Sequence, residues 1–122
     1  MRQIHEQLVA AVREAERLAR AVDPDQLGDP TPCPDYDVRR LIAHLMQEIV
    51  LHSWDLAVAT GQTPEFPDEV PDTVLRWLDS GGEDLSSGQW YAAPVATAAD
   101  SSLDRAVARS GRDPELLRER RR

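Results

Sequence analysis

Three residues of metal-binding type, His44, Glu48 and His52, recur at intervals of four along one stretch of the chain. Four residues make about one turn of an α-helix, so on a helix the three lie along one slowly drifting stripe. Neutral imidazoles and a carboxylate are the donors that first-row divalent cations, zinc foremost, accept. The plainer reading of the same spacing is a Glu-x-x-x-His pair whose members bond each other on a partly exposed helix. The setting favours the metal. The surrounding residues are strongly apolar, and ionisable groups on such a helix are costly unless paired or bound to a cation. Helix geometry then limits the site, because the rise from His44 to His52 is about 12 Å while each zinc-bound nitrogen sits about 2.1 Å from the ion. One straight helix cannot bring both histidines to one metal. Glu48 and His52 can share one, and two donors hold zinc poorly.

The element carrying this stripe is predicted to start at Asp37, whose carboxylate caps the free amides, with Tyr36 placed to contact Leu41 as a hydrophobic staple. It is predicted to stop at Thr60, with Gly61 as its C-terminal cap. Leu41, Ile42, Leu45, Ile49, Val50, Leu51, Trp54 and Val58 surround nearly its whole circumference, so it requires neighbours on most sides. Before it, Ile4, Leu8, Ala11, Ala15, Leu18 and Val22 recur at steps of three and four and predict an amphipathic helix over Ile4–Val22. The connector from Asp23 to Pro34 holds four prolines and a glycine, which must end that helix and turn the chain.

After a Pro-rich link, Val70, Val74, Trp77 and Leu78 predict a third helix ending at Ser80-Gly81-Gly82. From Glu83 to Asp100 no period is evident, and Trp90, Tyr91 and Val95 read as an extended strap. Ser101 or Ser102 caps a fourth helix through Leu103, Ala106 and Val107, closed by Gly111. Asp113-Pro114 starts a last turn carrying Leu116 and Leu117, and Arg118, Arg120, Arg121 and Arg122 read as a solvated tail, so that residues 113–122 form a flexible Arg-rich end.

Length and composition fit one domain over residues 1–122, and the helical spacing of its apolar residues makes that domain all-α. The chain is 41% hydrophobic and 30% charged, with 14 basic residues, all arginine, against 22 acidic ones and a net charge of −8. That charge excludes a general grip on nucleic acid. One cysteine rules out an intramolecular disulfide and suits a reducing cytoplasm. No apolar run approaches the roughly 20 residues of a membrane span, and the charged first turns do not read as an export signal. Cys33 lies between two prolines with no base or positive field evident nearby, which gives it a structural role. His5 reads as solvated and Trp54 as core. Asp55 is placed to accept a hydrogen bond from a metal-ligating histidine, and Arg112 to cap or pair locally.

Two segments carry a resemblance. Thr31-Pro32-Cys33-Pro34-Asp35-Tyr36-Asp37-Val38-Arg39-Arg40-Leu41-Ile42-Ala43-His44-Leu45 resembles the signature of the mycothiol-dependent maleylpyruvate isomerase family, within the DinB-like metal-binding superfamily. Glu48 to Gln62 resembles the later helix of the same family, and Gly111-Arg112-Asp113-Pro114 its closing motif. The resemblance implies a DinB-like helical bundle holding a divalent metal, usually zinc, through His44, Glu48 and His52. It further implies that the metal activates a small thiol, mycothiol, against a small electrophilic substrate, as in an isomerase or S-transferase. In the family, however, the first histidine and the Glu-x-x-x-His pair sit on separate helices far apart in sequence. Here three residues separate them, so part of the bundle and of the substrate pocket is missing. A homodimer would restore both. With two such helices antiparallel about an axis near Glu48, His44 of one chain faces His52 of the other, and the two long helices of each chain complete a four-helix bundle. The competing readings are a non-catalytic helical interaction module and a metal-sensing or metal-sequestering remnant.

Overall fold

The computed structural model describes residues 3–79, 95 and 101–120. Trp90 and Tyr91 of the expected strap, the Ser80-Gly81-Gly82 stop, Arg121 and Arg122 lie outside the described residues. Five helices account for the described secondary structure, with one 3₁₀ turn at Pro24–Gln26 and one isolated bridge between Pro30 and Asp37. The all-α expectation is met. None of these helices is long and apolar enough to cross a membrane. The chain divides into two compact units, Met1–Ile42 and Ala43–Arg122.

In the first unit, α1 spans Ile4–Arg20, two residues short of the expected end, with Ala21 as its cap. Its apolar side chains are largely uncovered: Ile4, Leu8, Val9, Val12 and Leu18 are exposed, while Ala15 and Val22 of the predicted stripe are half-buried. On its polar side Arg17 pairs with Glu14 at 2.6 Å and Arg20 with Glu16 at 2.8 Å. The proline-rich connector is an ordered helix start. Asp23 and Gln26 form a capping box around the 3₁₀ turn. The Thr31 hydroxyl lies 2.7 Å from the Tyr36 carbonyl and accepts the Cys33 amide at 3.1 Å, which closes the Pro32-Cys33-Pro34 turn.

These turns deliver acceptors to the first amides of α2, Val38–Thr60. The Val38 N–H donates to the Asp29 carbonyl at 3.0 Å and the Arg39 N–H to the Leu27 carbonyl at 2.9 Å. Arg40 N–H donates to the Asp37 carboxylate at 2.9 Å, as the predicted cap requires. The first three amides of α2, which have no intrahelical partner, are therefore satisfied here. This accounts for the Thr-Pro-Cys-Pro-Asp-Tyr-Asp run without any chemistry at Cys33.

In the second unit α2 closes at Gly61, which adopts φ +69° and lets the Gln62 N–H reach the Ala57 carbonyl at 2.9 Å. Helix α3 spans Glu69–Asp79 and α4 spans Ser102–Arg109, and the two pack together. The Ser101 hydroxyl caps α4 by accepting the Asp104 N–H at 3.1 Å, and Ser102 bonds Asp72 of α3. One core cluster joins Val50 to Val74, Leu75, Leu78 and Ala106, and a second joins Leu51 and Trp54 to Val107. The segment read as a solvated tail is instead helical over α5, Glu115–Arg120. Leu117 packs on the second cluster, and Arg118 pairs with Asp104 at 3.0 Å.

Candidate functional site

Helix α2 presents two faces with opposite fates. Gln47, Val50, Leu51, Trp54 and Ala57 are buried, while Leu45, Ile49 and Leu56 on the other side are 46%, 44% and 57% exposed. The site residues belong to the open side. Glu48 and His52 keep 37% and 61% of their side-chain surface exposed, so burial cost, the argument that favoured a metal from sequence, does not apply to them. The apolar ring around α2 serves two surfaces, and only one of them is the core.

Within this chain Glu48 and His52 come together. His52 Nε2 lies 3.1 Å from Glu48 Oε2, one helical turn away. On the ring's other side His52 Nδ1 lies 3.0 Å from Asp55 Oδ2, the contact that the sequence spacing anticipates. His44, a turn earlier, is half-buried and engaged in interactions of its own. Among the described residues no three His, Cys, Asp or Glu side chains are gathered to hold a metal within one chain, as the helix rise dictates. His5 is exposed on α1 and Cys33 half-buried in the connector.

Asp55 is held in turn by Arg112. Arg112 Nε donates to Asp55 Oδ1 at 2.7 Å and Nη2 to Oδ2 at 2.8 Å, a two-pronged ion pair between residues 57 apart in sequence. Arg112 makes the local pairing expected of it, to Ser110, and adds this long-range one. Local geometry aims the side chain. Gly111 takes φ +87°, a left-handed conformation open to glycine, and turns the chain so that the Arg112 N–H donates to the Val107 carbonyl at 2.9 Å. Arg112 Nη1 also donates to the Ser110 hydroxyl at 2.8 Å, and that buried hydroxyl donates to the Val107 carbonyl at 2.7 Å. The Arg112 guanidinium beside Asp55 holds its carboxyl below the usual carboxylate range; partial burial opposes this and His52 adds to it. The sequence signal was the Gly111-Arg112 pair after a helix, but nothing in it named Asp55 as the partner.

The hydrogen-bond polarity fits a cation. A neutral imidazole carries one N–H, yet the His52 ring lies between two carboxylates, both acceptors. If Nδ1–H donates to Asp55, the Nε2 lone pair faces the Glu48 oxygen, a repulsion that a proton or a metal cation between them relieves. Two donors each about 2.1 Å from a tetrahedral zinc ion stand roughly 3.3–3.4 Å apart, close to the 3.1 Å between Nε2 and Oε2. As metal ligands, Glu48 and His52 would therefore need only a small adjustment, with Asp55 serving as the acceptor for the second ring nitrogen.

No curated protein and no solved structure matches this chain. A family does: the mycothiol maleylpyruvate isomerase N-terminal domain matches residues 8–121. That span takes in the helix-start motif, the Glu48–His52 pair and the Gly111-Arg112 turn, and over it the chain belongs to the mycothiol maleylpyruvate isomerase N-terminal domain family.

Proposed function

We propose that this chain binds a divalent cation, zinc first, at Glu48 and His52, and uses it in the cytoplasm to activate a small thiol of the mycothiol type against a small electrophile. The observation that carries this reading is the His52 ring itself, set 3.1 Å from Glu48 on one side and 3.0 Å from Asp55 on the other. A bound divalent cation would lower the pKa of a thiol at its open position. The chain's own contribution is to hold two donors, Glu48 and His52, on a rigid helix and to fix the His52 ring between Glu48 and Asp55. The reaction class is isomerisation or S-transfer. The alternative reading, an interaction module, is supported by the shortened chain and by the uncovered face of α2.

The further donors come from a second copy. Leu45, Ile49, His52 and Leu56 form a stripe that maps onto itself about a point between Val50 and Leu51, pairing Leu45 with Leu56 and Ile49 with His52 of the partner when two α2 helices run antiparallel. Each chain's Glu48 and His52 then lie along one edge of the seam, next to the same pair from the partner. An axis through Glu48 would instead set the partner's His44 level with His52, but His44 lies about 80° around the helix from His52, on the side of the fully buried Leu51. Burial therefore favours the first register. Its three exposed apolar side chains offer about 300 Å² per chain, well under the ~800 Å² per partner of a stable interface. The pair should therefore depend on the cation.

The test is metal per chain after purification and zinc reconstitution, for the wild type and for Glu48→Ala, His52→Ala and His44→Ala. The first two variants should lose the metal. Loss in His44→Ala would select the register centred on Glu48, and a wild type that takes up no metal would leave only the interaction module. Turnover of maleylpyruvate or a thiol-reactive dye, with and without mycothiol, separates an enzyme from a metal sensor.

A further inference from the structure

We infer that Arg112 is a positioning residue for the His52 imidazole, acting through Asp55; this rests on the reading of His52 as a metal ligand. The argument follows the polarity of one hydrogen-bonded chain. The Val107 carbonyl accepts the Ser110 hydroxyl proton, and the Ser110 oxygen accepts from Arg112 Nη1. Arg112 donates twice to Asp55, and Asp55 Oδ2, which already accepts from Nη2, is also the oxygen facing His52 Nδ1. Every group from Val107 to Asp55 therefore has a fixed role as donor or acceptor. The carboxylate so held is oriented to accept a proton from Nδ1, and the Nδ1–H tautomer is the one that leaves the Nε2 lone pair toward Glu48 for a cation.

Without Arg112 this assignment fails. Asp55 is three residues from His52 on the same helix and 40% exposed, so its carboxylate would rotate among water-facing positions and either ring nitrogen could hold the proton. Arg112 is only 16% exposed, and its anchor Ser110 is buried at 2%. The clamp therefore transmits the rigidity of the α4 core to a side chain on the open face of α2. Lysine cannot replace it, because a single ammonium cannot fix the plane of the carboxylate.

Two readouts test this. Nitrogen NMR of the His52 ring reports the tautomer directly without metal, and competition with a chromophoric chelator reports zinc affinity. The wild type should show a single Nδ1–H tautomer. Arg112→Ala and Arg112→Lys should show mixed tautomers and zinc affinity about 10–100-fold weaker, with Glu48 and His52 intact. Asp55→Asn tests the same link without touching the α4 turn, should Arg112→Ala fold poorly by circular dichroism, and Ser110→Ala should have a smaller effect of the same sign. Folded Arg112 variants that keep one Nδ1–H tautomer and wild-type zinc affinity would overturn the inference. A wild type with the Nδ1–H tautomer but no zinc binding would sink the metal reading and leave the positioning role standing.

Discussion

The Arg112–Asp55 pair should contribute measurably to stability, and a double-mutant cycle can isolate it. Arg112→Ala, Asp55→Ala and the double variant are compared by urea unfolding, so that effects on His52 and Ser110 cancel from the coupling term. Hydrogen bonds to charged groups contribute about 1.5–3 kcal/mol and fully exposed ion pairs about 0.2–1 kcal/mol. This pair lies between, with Arg112 16% exposed and Asp55 40% exposed, so the expected coupling is about 1–2 kcal/mol near neutral pH. Its pH dependence has a definite sign. Because Arg112 lowers the Asp55 pKa in the folded chain, the ionised carboxylate binds fewer protons folded than unfolded. The contribution is complete above the unfolded value of about 3.9 and is lost as pH falls through the lower folded value. A coupling below about 0.3 kcal/mol at pH 7, or one that grows on acidification, would refute the reasoning.

Other substitutions test the supports of the site. Leu51→Ala removes a fully buried side chain from the second cluster and should cost about 3 kcal/mol in denaturant unfolding. Gly111→Ala forces an alanine to φ +87° and should cost about 1–2 kcal/mol, whereas Gly28→Ala, with nothing within 4 Å of the added carbon, should be close to neutral by thermal melt. Asp37→Ala removes the acceptor of the Arg40 amide and should cost about 1 kcal/mol, read from helix content and urea midpoint; an unchanged midpoint would contradict the account of the helix start.

What could be read from sequence divides by distance along the chain. The cap at Asp37, the stops at Gly61 and Gly111 and the Glu48–His52 contact were all legible, because each is decided by residues within one or two turns. The helix ends at Arg20 and Thr60 fell at or near the predicted positions for the same reason. The buried face of α2 was not legible, since Leu45, Ile49, Val50 and Leu51 ring the helix and only the packing of α3 and α4 chooses among them. Nor was Arg112's partner, 57 residues away on another helix. The C-terminal arginines looked like a tail because charge dominates that segment, yet Leu117 packs on the second cluster and Arg118 pairs with Asp104.

The most direct test of the central claim is native mass spectrometry of the full chain titrated with zinc. Bound zinc in the wild type, carried by a dimer that dissociates when a chelator is added, with neither species formed by His52→Ala, is the predicted result. A wild type that stays monomeric and metal-free at saturating zinc would contradict it.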